Sequence, residues 1–474
     1  MSIWKWYGSE LKILGISVFR IKIREGRRIW RILGIPVWKD RTAFSDILRR
    51  FRACSSFDTG KFDSEIATIV EMPDTDSLPP DPRNLAYLAT EIYEFGGHSN
   101  WIRDQILLLA GKFRQTLFLT RYTASCLGAP EKIKSIRQGA AVEGIDPDWI
   151  HVESAVRKLF LRIMSGRPKV IFVYIHPDDV FGAAVLSLIA RDGRCRIIFG
   201  DHASHFPTLG ISFSDLVLDA LPTSASLVWY RRGVRKTYIN PSLMLSSIDA
   251  GSVSLSPEER AGLREKMGIG RGGLCTMSGA WAYKFFDETG SEYFQMIRRL
   301  LERGTDRRHV ILSDFSQKQF DTIKEIFQDS EAFSRIIFLP MSRDYKKIFC
   351  CADVFIDSFP VSSALTFVEL MALKVAGVVK INRENAHLSF HEYQRPDFEY
   401  MFESADEMIQ GVEKLLTDPK EREVLVQKNF EFYRKTYSHE AAEKAYLHII
   451  DHADDLSAVI TPPPPIESYR FKDI

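Results

Sequence analysis

Apolar residues fall in short runs along most of this chain, and the runs alternate with stretches of helical period. The clearest case lies between Ile336 and Asn382. There Ile336–Leu339 is followed by a polar start at Ser342 and a helical pattern, then by a second run, Val354–Ile356. A Ser/Pro-rich loop, another helix and a third run, Val375–Ile381, complete the stretch. Such runs, separated by helical periods, predict parallel strands joined by crossover helices and hence an α/β fold. The same grammar appears earlier. Thr116–Thr120, Lys169–Ile175, Arg196–Phe199 and Leu216–Leu218 read as strands, with helices over Trp101–Leu109 and Val180–Ala190. Leu274–Ser278 and His309–Leu312 open a second set, and the polar, Pro-rich text from Phe51 to Asp81 reads as a connector.

In parallel sheets, ligands collect at the carboxyl ends of the strands. Those ends carry Ser342, Asp357, Ser362, Ser363, Thr366 and Glu369, which suits a nucleotide sugar. The string Asp357-Ser358-Phe359-Pro360, then Ser362-Ser363-Ala364-Leu365-Thr366, then Glu369-Leu370-Met371-Ala372 resembles the donor-binding motif of GT-B glycosyltransferases. It is most similar to the O-GlcNAc-transferase-like and bacterial adhesin-glycosylating groups. The resemblance implies two Rossmann-like domains facing a cleft. It also implies that the loop amides and the following helix hold the donor diphosphate while Glu369 binds the ribose. A helix N-terminus, with free N–H groups and a positive dipole end, suits that anion. The chain departs from the motif in having no glycine in the loop and Lys374 after Leu373. The plain alternative is a Ser/Thr-capped helix. The strand Leu274–Ser278 runs into Gly279 and, five residues on, Lys284. In GT-B enzymes a basic residue at this offset neutralises the leaving nucleoside diphosphate, which implies that role for Lys284 without a metal. The alternative is a surface lysine.

On the acceptor side, the strand Arg196–Phe199 leads into Gly200-Asp201-His202-Ala203-Ser204-His205 and then Leu209-Gly210-Ile211-Ser212 and Asp215. This string is similar to an acceptor-domain loop of some bacterial GT-B enzymes. An imidazole, with an ordinary pKa of about 6.5, can take a proton from an attacking hydroxyl near neutral pH. His202 is the candidate base and His205 the second candidate, with Asp201 or Asp215 to orient it; His176 ends the preceding strand and offers a further acceptor contact. Histidines that only cap backbone groups are the alternative. Tyr238-Ile239-Asn240-Pro241 resembles the strand before a GT-B interdomain linker, here 242–256. The expected organisation is a basic extension (1–45), an acceptor domain (46–250), a donor domain (251–440) and a C-terminal helix with a Pro-rich tail (441–474). In GT-B folds the last helices often cross back to the first domain.

Composition refines this reading. The 474 residues, 45% hydrophobic, suffice for two domains. Six cysteines show neither CxxC pairs nor metal-ligand spacing, as expected of buried thiols in a reducing cytosol. No run is long enough to span a bilayer, so a cytoplasmic protein is expected. The net charge of +1 hides an asymmetry: residues 1–41 hold ten Lys/Arg against three acids, +7, which leaves −6 for the remainder. Within them Ile13–Phe19 recurs as Ile32–Trp38. Phe19, Ile21 and Ile23 alternate with Arg20, Lys22 and Arg24 before Gly26, which predicts a short β-hairpin with one basic face. Similar leaders precede bacterial surface-polysaccharide glycosyltransferases. The segment is suited to an anionic membrane surface at the inner face of the cell membrane or to a protein partner, and no nucleic-acid motif accompanies the charge. Two D-x-D strings, Asp74-Thr75-Asp76 and Asp146-Pro147-Asp148, lie in a connector and before a helix, not after strands, so no metal or other cofactor is expected. The functional expectation is sugar transfer from a nucleotide sugar to a hydroxyl of a glycan, lipid-linked glycan or protein, in bacterial surface glycan or glycoprotein synthesis, by inversion. The alternatives are a nucleotide-sugar epimerase of the same fold and a non-catalytic assembly protein.

Overall fold

The computed structural model describes residues 43–470 except 55, 76–77, 148–150, 205, 244–252, 288–289, 329, 343, 390 and 394, together with the backbone of five strands within 4–41. Those strands are β1 (Trp4–Tyr7), β2 (Glu10–Ile13), β3 (Ile16–Arg24), β4 (Arg27–Ile32) and β5 (Ile35–Arg41), paired antiparallel in chain order. Arg24 stands opposite Arg27, so the expected hairpin forms the middle of a larger meander; Gly26 itself lies outside the described residues. The internal repeat explains the extra strands. Ile13 pairs with Ile16 and Ile32 with Ile35, so each copy supplies an equivalent strand junction.

The next strands are β6 (Asp81–Ala89), β7 (Arg114–Leu119), β8 (Ala141–Gly144), β9 (Pro168–Tyr174), β10 (Arg196–Gly200), β11 (Leu216–Asp219) and β12 (Thr237–Ile239). They form a parallel sheet in the order β12-β11-β10-β9-β6-β7-β8. A second sheet holds β13 (Leu274–Gly279), β14 (Arg307–Leu312), β15 (Ile336–Leu339), β16 (Val354–Ile356), β17 (Gly377–Lys380) and β18 (Met401–Phe402), in the order β15-β14-β13-β16-β17-β18. Each is a doubly wound sheet whose order reverses beside its first strand, at β6/β9 and at β13/β16. A crevice opens at such a reversal because the crossovers on its two sides diverge.

Both faces of the first sheet are covered, which is why its strands read as continuous apolar runs. Leu85, Tyr87 and Ala89 of β6 point into one core, and Ala86 and Leu88 into another beneath the helices Gly60–Ile69, Val152–Ser165 and Val180–Asp192. The connector expected over Phe51–Asp81 is thus corrected. It contains the helix Gly60–Ile69, whose Phe62 and Ile66 are buried four residues apart, and it ends at the start of the central strand. Polar capping residues and prolines around that short apolar stripe masked its period.

The C-terminal segment crosses back as expected. Tyr446, on the helix His439–Asp451, accepts a hydrogen bond from the Trp101 indole (2.5 Å) and donates to the Leu243 carbonyl (3.2 Å). Just before the prolines, the Thr461 amide donates to the Thr237 carbonyl at the edge of the first sheet (2.6 Å), and within them the Pro464 carbonyl accepts from the Ser226 hydroxyl (2.8 Å). Past them the tail turns to the second domain, where the Tyr469 hydroxyl donates to Glu392 (2.9 Å) and the Arg470 carbonyl accepts from the Ala386 amide (3.1 Å). Among the described residues, no helix is long and apolar enough to cross a membrane.

Candidate active site

The carboxyl ends of both sheets face one cleft of about 900 Å³, within the range of small-molecule sites. Its second-domain wall starts at Gly279, the last residue of β13. A Cβ there would sit 2.4 Å from the Phe349 ring, so only glycine allows this approach. A tight turn, Ala282–Phe285, follows. Phe285 is fully buried against Tyr293 and anchors the turn, while Lys284 reaches over to the next loop.

That loop follows β16 and is organised around a buried carboxylate. Asp357 accepts from the Ser362 hydroxyl (2.5 Å) and from the amides of Ser358 and Ser363 (2.9 Å each). Burial raises its pKa, and the serine bonds and Lys284 oppose the rise. Asp357 and Ser362 therefore shape the loop from within, and neither lines the cleft. Ser363, Ala364, Leu365, Thr366 and Glu369 do line it. Ala364 turns the chain at φ +57°, the conformation a loop glycine would have taken. The helix Leu365–Ala372 starts there, so its N-terminal end, at Leu365 and Thr366, lies on the cleft wall. Lys284 Nζ donates to the Ser362 carbonyl (2.7 Å), and burial lowers its pKa to about 8.

The second departure from the donor motif also finds an account. Lys374 adopts φ +57° just past the helix, with its amide bonded to Met371 O and that of Val375 to Leu370 O. This is a Schellman ending that favours glycine; here the ammonium lies 4.4 Å from the Phe430 ring, which offsets part of the strain. Glu369 accepts from the Tyr345 hydroxyl (2.8 Å), and burial raises its pKa. Ser342 does not line the cleft; it accepts from the Asp344 amide in the turn before Tyr345, and its neighbour Met341 takes the lining position.

Among the described residues, His98 and His202 stand on the first-domain wall. His202, just past β10, directs Nδ1 at the Gly200 carbonyl (3.4 Å). Its ring lies 4.1 Å from that of His98, whose Nε2 donates to the Tyr174 carbonyl (2.9 Å). Burial, with His176 adding to it, lowers the His98 pKa to about 3, so this ring is neutral at any physiological pH, with an unpartnered Nδ1. His176 stands behind them, stacked on Tyr93 (5.6 Å), and does not line the cleft. Asp201 lines the cleft but is committed to a buried ion pair with Arg232 (3.1 Å). Asp219, at the end of β11, has neither carboxylate oxygen bonded, and burial together with Asp201 pushes it well above the usual carboxylate range. One guanidinium thus serves one of two adjacent acids, and the other is kept neutral.

Asp215 is a correction. Because β11 runs parallel to β10, the chain must return to the opposite edge of the sheet before entering it. Asp215 sits at that far edge, where its carboxylate accepts from the Ile197 amide (2.8 Å), and it cannot reach the cleft. On the way back, Gly210 and Ser212 are tied to Asp63 of the helix Gly60–Ile69 (2.7 and 2.6 Å). His205 lies outside the described residues. So do Asp76 and Asp148 of the two D-x-D strings. Thr75 bonds to Asp192 and Asp146 to Thr123, both structural contacts. Among the described residues, no three His, Cys, Asp or Glu side chains stand together as metal ligands.

Sequence reasoning missed the loop after β6. Gly96 turns at φ +122°, and Gly97 approaches Leu365 of the donor helix so closely that a Cβ would lie 2.6 Å from it. His98 follows at once. The signal was present as Gly96-Gly97-His98 after the short run Leu85–Ala89, but the run was not recognised as a strand. Arg103, Lys132 and Lys346 also line the cleft beyond expectation.

No known family profile matches the chain, and no curated protein sequence matches it. Solved structures do. Anabaena HepE in complex with UDP aligns with a TM-score of 0.61 at 12% identity, covering 78% of this chain and 99% of that one. The Thermobaculum terrenum O-GlcNAc transferase K341M mutant aligns at 0.56 and 12%, covering 88% and 78%. A Listeria monocytogenes protein assigned as a UDP-N-acetylglucosamine 2-epimerase aligns at 0.50 and 12%, covering 81% and 98%. The chain has the GT-B fold.

Proposed function

We propose that the protein is a glycosyltransferase that moves a sugar from a UDP-sugar to a hydroxyl acceptor with inversion. The observation that carries this reading is the meeting, in one cleft, of an anion cradle from the second domain with a histidine pair from the first. In the cradle, the Ser363–Thr366 loop, the helix N-terminus and Lys284 oppose the charge that grows on the diphosphate as the glycosidic bond breaks. Glu369 accepts hydrogen bonds from the ribose diol. Across the cleft, the His202 imidazole removes the acceptor proton as the hydroxyl attacks the anomeric carbon, and His98, fixed neutral by burial, holds the hydroxyl and packs the His202 ring. Lys284 and the helix dipole supply the electrostatic stabilisation from the protein's own groups. The fold neighbour with bound UDP supports UDP as the nucleotide. A role in surface glycan or glycoprotein synthesis, at the inner face of the membrane through residues 1–41, accords with the basic leader.

An epimerase is the second reading, favoured by the epimerase-class fold neighbour. Both are tested together. Thermal stabilisation by UDP-, GDP-, dTDP- and CMP-sugars is measured first; at 100 times the dissociation constant a ligand adds about 2.7 kcal/mol. The stabilising sugar nucleotide is then incubated alone and with acceptor hydroxyls. Release of UDP that grows with acceptor supports transfer, and an isomerised sugar nucleotide supports epimerisation. Stabilisation by none of the four overturns the proposal.

A further inference from the structure

Five aromatic side chains are strongly exposed among the described residues: Tyr93, Phe206, Tyr230, Trp281 and Tyr283. Three of them, Tyr93, Trp281 and Tyr283, line the one cleft. That concentration is unexpected for residues that gain most by burial. Trp281 (47% exposed) and Tyr283 (50%) stand on the turn that carries Lys284. Ala282 between them and Phe285 after them are both buried, so the anchors are turned inward and the two rings outward. The turn is anchored at its C-terminal end: Phe285 packs on Tyr293 (4.7 Å), and the Lys284 ammonium is bonded to the Ser362 carbonyl. On the opposite wall the Tyr93 ring lies nearly parallel to His176 (4° between planes), and its backbone amide donates to the Ser99 hydroxyl (2.8 Å). Tyr93 is thus held by its neighbour, Trp281 and Tyr283 ride on an anchored turn, and all three rings stay exposed, the state of a surface prepared for a ligand with a flat apolar face.

From this arrangement we infer that the cleft mouth is a saccharide-binding subsite, and that the acceptor is an oligosaccharide whose pyranose rings lie on Trp281, Tyr283 and Tyr93. The inference rests on the transferase reading for the word acceptor, but the subsite can be read without it. A pyranose presents axial C–H bonds on one face, weakly positive and apolar, which match the negative face of an aromatic ring. Its hydroxyl edge then meets polar side chains of the first-domain wall, Asn100 and Ser224 among them.

The test uses the full chain, with UDP present, and a panel of unmodified oligosaccharides: chitotetraose, maltotetraose and β-galactotetraose. Saturation-transfer NMR reads contact between ring C–H protons and the protein, and calorimetry of UDP binding reads the donor site separately. At least one saccharide should show transfer to its C–H protons. Trp281→Ala with Tyr283→Ala should weaken it by about tenfold, with UDP binding unchanged, and Trp281→Phe should restore most of it. Absence of transfer for every saccharide, equal binding by wild type and the double variant, or displacement by an unstructured Ser/Thr peptide would overturn the inference. Saccharide binding without any UDP binding would leave the subsite standing and remove the transferase reading instead.

Discussion

Lys284→Met is the most searching substitution, because the proposed role and the stability of the fold pull in opposite directions at this residue. Burial holds the ammonium at about 8 against an ordinary 10.5. Keeping it charged at neutral pH therefore costs about 3 kcal/mol. The side chain returns part of this through its bond to the Ser362 carbonyl, about 1.5–3 kcal/mol for a charged donor. These terms nearly cancel, so the methionine variant should unfold within about 1 kcal/mol of wild type. Nucleotide binding should behave differently. A diphosphate beside Lys284 repays the charge, and its loss should weaken UDP by roughly 10–100-fold, the same 1.5–3 kcal/mol. The pH dependence follows with a definite sign. Because the folded-state pKa is lowered, the folded protein binds fewer protons than the unfolded chain between about 8 and 10.5, and apo stability should rise with pH across that window. UDP affinity should fall over the same rise, since the lysine becomes neutral, and in the variant both slopes should shrink to the share left by other groups such as Lys132, which burial lowers to about 8. Denaturant unfolding and UDP calorimetry from pH 6 to 10 measure all three quantities. Wild-type UDP affinity in a folded variant, or a stability loss of several kcal/mol, would refute the reasoning.

Three further outcomes are expected. Glu369→Gln, which keeps the shape and the bond to Tyr345, should weaken UDP by about 1.5–3 kcal/mol through the lost charged acceptor, whereas UDP affinity equal to wild type by calorimetry would take Glu369 out of the ribose site. His202→Ala should lower turnover by about 10²–10⁴-fold with donor affinity intact, and activity within a few-fold of wild type in a UDP-release assay would exclude it as the base. Asp63, raised to about 6 mainly by burial, should make the protein lose about 3 kcal/mol as pH rises from 4 to 6, because its folded-state pKa lies above the unfolded one. Asp63→Asn should flatten that slope in denaturant titrations, and an unchanged slope would mean the carboxylate titrates normally.

Much of the donor half was legible in the chain itself. Ile336–Leu339 and Val354–Ile356 coincide with β15 and β16, because β16 is buried on both faces and the edge strand β15 is half-buried along most of its length, so both leave unbroken apolar runs with polar ends at the sheet edge. The Ser-rich loop and Glu369 follow from the same local logic, as they are neighbours in sequence. What local pattern could not decide was which polar groups face the ligand. Asp357 and Ser362 turned inward to organise the loop, because a buried carboxylate needs donors and the nearest were its own loop amides. Asp215 left the site altogether, since a parallel strand is entered from the far edge. The central strand β6 was hidden by its short run and by flanking prolines, and with it went Gly96, Gly97 and His98. Their meaning depends on Leu365 and His202, which stand 268 and 104 residues away from Gly97 and His98 in sequence. Sequence determined the layers and the donor loop, for those rest on periodicity and near neighbours. Only the tertiary structure brought two strand ends from different sheets to one cleft, because that meeting is set by topology and interdomain packing.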